Sequence, residues 1–160
     1  MSKELEWEKK WKAREKQIDD KFKTRFAWQF KEFKEGGYKY RAEVSTGEGW
    51  DNLVRDMCQE VEDFFGVGMG YPDKGFKWTQ IKSKFGTLRA YFRCDKKLEG
   101  EGMQKLLDLI HKYEERSAIT CEVCGADAKT QNLGGWIATL CPTHYEQHMK
   151  ERQERYGDDD

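Results

Sequence analysis

Cys121-Glu-Val-Cys124-Gly125 and, after sixteen intervening residues, Cys141-Pro-Thr-His144 decide how this chain is read. Three thiols and an imidazole in two closing pairs are the donor set of a tetrahedral zinc site with every position taken. Structural sites are built that way, whereas catalytic sites keep one position open. Gly125 suits the left-handed turn that aims backbone amides at the sulfur atoms. Gly134-Gly135 followed by the strand-like Trp136 to Leu140 reads as the return of a hairpin, and the second pair leads into a helix over 145–156. Knuckle, hairpin, and knuckle at a helix start together describe a treble-clef-like segment over 118–160, with Zn2+ as a structural cofactor. His148 lies one helical turn beyond His144 and stays open as the alternative fourth ligand. Five cysteines, three of them in these pairs, favour metal ligation over disulfides in a reducing compartment.

Working upstream, Met103, Leu106, Leu107, Ile110 and Tyr113 form the apolar stripe of a helix from about Met103 to Ser117. Before it, Phe76 to Lys84 and Thr87 to Cys94 are strand-like and meet at Phe85-Gly86, a hairpin over 76–94. Leu88, Ala90, Phe92 and Cys94 alternate with Arg89, Tyr91 and Arg93, giving one apolar and one basic-aromatic face. The glycine-dense stretch 66–75 is a connection, since no Gly-Lys-Ser/Thr follows and it leaves a helix instead of a strand. That helix, Trp50 to Phe65, carries the cleanest periodicity in the chain, with Trp50, Leu53, Val54, Met57, Cys58, Val61, Phe64 and Phe65 on one side. Tyr38 to Val44 alternates as a short strand, and Thr46 to Trp50 is a turn into the helix.

From Lys3 to Glu35 there is no glycine or proline, and Trp7, Trp11, Ile18, Phe22, Phe26, Phe30 and Phe33 recur at helical steps. This predicts one long helix capped by Gly36-Gly37. The fold class expected is therefore α+β: a small antiparallel sheet with amphipathic helices, a long N-terminal helix and a C-terminal zinc segment. The organisation expected is a charged helical arm over 1–37, an α+β core over 38–117 and the zinc segment over 118–160.

The strings Gly47-Glu-Gly-Trp50, Gln80 to Phe92, Cys121 to Gly125, Gly135-Trp136 and Thr139-Leu-Cys141 with His144 resemble a family of small uncharacterised zinc-knuckle proteins of bacteria and their phages. The likeness spans about Tyr38 to Tyr145 and leaves the N-terminal helix outside. It implies the architecture and the zinc ligands, together with a phage or mobile-element origin, and no activity. Such accessory proteins act by binding host machinery, including defence systems, which is an argument by analogy.

Composition bounds the function. At 160 residues, 37% charged and 37% apolar, the chain has material for one modest core, helped by 14% aromatic residues. No run of 18 apolar residues and a charged N-terminus argue for a cytoplasmic protein with no membrane partner. The net charge of −1 hides blocks: residues 1–41 and 77–97 are basic, 42–76 and 98–160 acidic. Such blocks steer partners or match a second copy, so a homo-oligomer is also open. The function expected is a non-enzymatic, zinc-stabilised binding protein that engages a host protein through Trp7, Trp11, Ile18, Phe22 and Phe26. The alternative is a nucleic-acid-binding module using Lys77, Trp78, Lys82, Lys84, Arg89, Tyr91 and Arg93, with Lys96 and Lys97 beside them. Behind both stands a metal-dependent nuclease, which would need a general base and a second cation site. His111 on a charged-apolar helix and Cys94 beside Arg93 do not supply them, and no catalytic residue is assigned.

Overall fold

The computed structural model describes residues 3–68, 75–94, 98 and 100–156. The glycine-dense connection falls largely outside the described residues, and Lys96 and Lys97 lie outside them entirely. The chain runs through α1 (Lys3–Ile18), β1 (Phe33–Glu35), β2 (Tyr38–Tyr40), β3 (Glu43–Ser45), α2 (Asp51–Asp63), β4 (Lys77–Lys84) and β5 (Thr87–Arg93). It continues with α3 (Gly102–Ser117), β6 (Lys129–Asn132), β7 (Ile137–Leu140) and α4 (Pro142–Tyr156). The chain is α+β, with α2, β4, β5 and α3 close to where the periodicity places them.

The first correction concerns the N-terminal segment. α1 continues into a wider π-helical turn over Asp19–Thr24, a short 3-10 turn follows at Ala27–Gln29, and the helix does not reach Glu35. Gly36-Gly37 is the turn of a β1–β2 hairpin instead of a helix cap, with Phe33 opposite Tyr40 and Glu35 opposite Tyr38. Both glycines have positive φ, +59° and +84°, as a two-residue hairpin turn of matching twist demands. The aromatic residues flanking them alternate with Lys and Glu, and that short-range pattern prevails over the longer helical one. The break also serves the core. It lets Gln29 turn inward, where its Nε2 donates to the Cys58 carbonyl at 2.8 Å and its Oε1 accepts from Trp78 Nε1 at 2.8 Å.

The second correction concerns the sheets. The stretch 38–44 is divided between two of them: β2 pairs with β1, while β3 runs parallel to β4, with Val44 opposite Ile81. The central sheet, ordered β3-β4-β5, is therefore mixed. β4 and β5 form the expected antiparallel hairpin, with a bulge between Trp78 and Gln80.

A single apolar cluster fills the space between the sheet and helices α2 and α3. It takes Ile18, Phe22, Phe26 and Phe30 from the N-terminal segment, most of the α2 stripe, Phe76, Trp78, Ile81 and Leu88 from the β4–β5 region, and Leu106 and Ile110 from α3. Phe76 anchors an aromatic group, its ring 5.1 Å from Trp78, 5.2 Å from Phe65 and 5.3 Å from Phe92. A second, much smaller cluster lies in the C-terminal segment, where Leu133, Ala138 and Leu140 accompany the buried Cys121 and Cys141.

Candidate functional site

The two cysteine pairs meet. The ligand atoms of Cys121, Cys124, Cys141 and His144 all lie within 4.8 Å of one another, so the four can hold a metal ion. Cys124 Sγ is 3.8 Å from Cys141 Sγ, and His144 Nδ1 is 3.7 Å from Cys121 Sγ and 3.2 Å from Cys141 Sγ. A tetrahedral ion with metal–sulfur bonds of about 2.3 Å and a metal–nitrogen bond of about 2.0 Å requires edges of roughly 3.8 and 3.5 Å. The site thus has the size and donor chemistry of a four-coordinate centre. His144 is the histidine that joins it. His148 points elsewhere, its ring 5.0 Å from that of Trp136.

Local structure sets each donor in place. Gly125 takes φ +82° and its amide donates to the Cys121 carbonyl at 2.9 Å, closing the first knuckle. β6 and β7 pair from Lys129↔Leu140 to Asn132↔Ile137 and return the chain to Cys141, after which α4 opens and carries His144 in its first turn. Burial works to raise the Cys121 thiol, but backbone amides of Cys141, Cys124 and Val123 directed at the sulfur prevail and bring it to about 6. Cys124 moves the other way: the Ala126 amide lowers it, yet burial and the neighbouring Cys121 and Cys141 sulfurs together raise it. A bound cation removes that conflict by favouring every thiolate at once.

The centre is bolted to the core by residues whose role the sequence did not disclose. Gly49 donates its amide to the Glu122 carbonyl at 2.9 Å, and Trp50 Nε1 donates to the Thr120 carbonyl at 2.7 Å. A Cβ on Gly49 would lie 2.1 Å from the Cys121 carbonyl oxygen, and one on Gly47 would lie 2.2 Å from that of Glu122. The two glycines are therefore spacers that let one backbone touch the other. Glu122 answers from inside the knuckle: its carboxylate accepts from Ser83 Oγ at 2.7 Å and from the Thr139 amide at 2.9 Å. Thr139 Oγ1 in turn donates to the Gly86 carbonyl at the tip of the β4–β5 hairpin. The local signal for all this was Gly-x-Gly before an aromatic residue, which reads equally well as a turn.

The outer face of the central sheet carries most of the basic candidates. Arg89, Tyr91 and Arg93 project outward from β5, opposite the inward Leu88 and Ala90. Lys82 stands across from Arg89, with its Nζ 5.9 Å from the centre of the Tyr91 ring. Lys84 reaches over exposed Phe85, which takes φ +54° at the hairpin tip. Lys77 is paired across from Arg93 and half-buried. Trp78 does not belong with them: it is fully buried, its indole is held by Gln29, and the expectation that it stacks on a ligand is corrected. Arg93 is partly committed, since Nη1 donates to the Lys34 carbonyl at 3.1 Å, Nη2 lies 3.6 Å from Glu35 and the guanidinium covers the Phe33 ring. The β1–β2 hairpin that it ties down adds Tyr40, Lys34 and Lys39 to this side of the molecule; the helix reading hid Lys34, and the strand reading of 38–44 did not show where Lys39 and Tyr40 would be placed.

Of the first-helix candidates, Trp7 and Trp11 are 67% and 54% exposed, whereas Ile18, Phe22 and Phe26 belong to the core and offer no surface. Between the two sets Arg14 forks onto Asp51 at 2.8 and 2.9 Å and donates to the Thr46 carbonyl, with Lys21 also on Asp51 at 2.9 Å. Burial tends to raise the Asp51 carboxyl, but hydrogen bonds from Arg14 and Lys21 outweigh it and hold the group below its ordinary range. His111 is exposed and spans Glu114 and Glu115 on its own helix. Cys58 is sealed in the core, where burial pushes its thiol well up. Cys94 packs half-buried against the main core. Among the described residues no helix is long and apolar enough to cross a membrane. No protein-family model, no curated protein and no solved structure matches the chain.

Proposed function

We propose that the chain is a zinc-stabilised, non-enzymatic binding protein that holds nucleic acid on the outer face of its central sheet. Zinc is the ion favoured by a closed set of three thiolates and one imidazole, and a thiolate site suits a reducing cytoplasm. Its role on this reading is structural: four donor atoms within 4.8 Å of one another are a full shell for a four-coordinate ion, and the order of cysteine pair, hairpin and helix start supports a treble-clef-like plan. The observation that carries the binding reading is the outward row of Arg89 and Tyr91 beside Lys82, cations and a ring on one open surface. Phosphates are met by the cations, and a ring on the same face gives a base something to stack on.

The experiment is a fluorescence-anisotropy titration of labelled nucleic acid with zinc-loaded protein over a series of salt concentrations. Affinity should fall steeply with salt, and Arg89→Ala should weaken binding while reducing the slope of log K against log salt by about 1. No binding at low salt would sink the reading. A second reading, in which a phage or mobile-element accessory docks a host protein, rests on Trp7 and Trp11, two large rings left in solvent on α1. It predicts capture that survives nuclease treatment and Arg89→Ala, and that disappears with Trp7→Ala and Trp11→Ala together.

A further inference from the structure

The sheet face is not flat. Between it and the β1–β2 hairpin lies an open concavity of about 350 Å³ lined by Phe33, Glu35 and Tyr40 from the hairpin and by Glu43, Thr79, Gln80, Tyr91 and Arg93 from the sheet. Tyr40 comes from β2, Glu43 from β3, Thr79 and Gln80 from β4, and Tyr91 and Arg93 from β5, so two hairpins and the parallel strand converge on one hollow. The bulge between Trp78 and Gln80 explains why adjacent Thr79 and Gln80 both reach it. An extra residue breaks the alternation that would otherwise send one of them to the core.

The chemistry of the hollow is layered. Two tyrosine rings, each 47% exposed, supply apolar faces. The Thr79 hydroxyl, the Gln80 amide and the carboxylates of Glu35 and Glu43, with Glu35 lying 3.6 Å from Arg93, supply short-range donors and acceptors of the kind that read a base edge. Lys82 and Arg89 lie beside it on the sheet, and a neighbouring concavity that shares Phe33 and Arg93 holds Lys34, Lys39 and Lys77 together with Glu32. Arg93 offsets Glu35, and Glu43 disfavours a phosphate in the hollow but welcomes an exocyclic amine. Bases inside and phosphates at the rim are compatible only with a strand whose bases are unpaired, since a duplex turns its base faces inward and offers none to stack on.

Resting on the nucleic-acid reading above, we infer that this hollow takes an unpaired base, making the protein a binder of single-stranded nucleic acid in preference to duplex, with Tyr40 and Tyr91 as the stacking residues. The test compares a labelled oligodeoxycytidine with a duplex of equal length, at fixed salt, on the full-length zinc-loaded protein and its variants. Zinc content and circular dichroism establish that each variant is folded. The single strand should bind more tightly than the duplex. Tyr91→Ala and Tyr40→Ala should each weaken it roughly 5- to 150-fold, the range that loss of one stacked ring produces. Tyr91→Phe and Tyr40→Phe should keep most of the affinity. If Tyr40→Ala loosens the hairpin, where its ring meets Phe33 at 5.9 Å, Tyr91→Ala and the two phenylalanine variants carry the comparison. Equal affinity for duplex, or Tyr→Ala variants that bind as well as the parent while Arg89→Ala does not, would overturn the single-strand assignment and leave the broader nucleic-acid reading standing. Absence of binding to either probe would overturn both.

Discussion

Gly49 shows how much a missing side chain can do. Its amide bonds to the knuckle, and no Cβ fits beside the Cys121 carbonyl. Gly49→Ala must push the 46–50 turn away from the metal segment, and overpacking of this kind costs about 2–3 kcal/mol. Urea unfolding should report that loss, while Gly66→Ala, with nothing within 4 Å of the added methyl, should change stability by less than about 0.5 kcal/mol. If the two variants unfold at the same midpoint, the glycine is not a spacer. The metal ligands themselves were legible because coordination chemistry constrains residue type and short spacing together. The partners of those ligands were not, because Gly49 and Glu122 are far apart in sequence and nothing local in either announces the other.

At the scale of elements, a charged junction ties the first helix to the second. Arg14 and Lys21 converge on Asp51 at the start of α2, and Arg14 also bonds to Thr46. Asp51→Asn leaves the two cations without their counter-charge, and losing charge-assisted hydrogen bonds is worth about 1–3 kcal/mol. Urea unfolding should show that deficit, with faster hydrogen exchange along α1 as its local sign. The same junction has a pH sign. A carboxyl held below its unfolded value adds stability that is complete above the unfolded pKa, near 4, and disappears as pH falls through the lowered folded value. The parent should therefore lose stability in that acid window more steeply than Asp51→Asn does. Helices α2 and α3 and the 76–94 hairpin could be read from periodicity, since an apolar stripe needs only local sequence to be seen. The N-terminal stripe misled because it is real but serves two structures. Its helical spacing persists through Phe30 although the backbone has already left the helix to deliver Gln29 to Trp78 and Cys58.

For the whole molecule, the decisive fact is the imbalance between the two apolar clusters. The main core has ample aromatic and aliphatic mass, whereas the apolar residues buried in the described C-terminal segment are Leu133, Ala138 and Leu140 besides its cysteines. A cluster that small does not hold a fold by itself, so on the zinc reading proposed above a bound ion would supply what burial lacks. Removing zinc with a chelator should unfold the C-terminal segment and also lower the thermal midpoint of the core. At free zinc a thousandfold above Kd the stabilisation is about 4 kcal/mol, or roughly 8–16 °C for a chain of this size. His144→Ala should reproduce the effect and lose the ion, while His148→Ala should retain it, as read by elemental analysis and a melting curve. A core that melts unchanged after chelation would show the two clusters to be independent.

The same junction sets an order of events while the chain is being made. The turn around Gly49 draws part of its support from Glu122, and on the zinc reading proposed above the knuckle that carries Glu122 closes when Cys141 and His144 join Cys121 and Cys124. Synthesis supplies residues at roughly 5–20 per second, so several seconds separate the appearance of the turn from that of its support. During that interval Gly49 lacks its acceptor in the knuckle, while Arg14 already holds Thr46 and Asp51 at the start of the second helix. If the four ligands hold zinc as proposed, the supply of that ion during synthesis should bear on the yield of folded protein as well as on its stability.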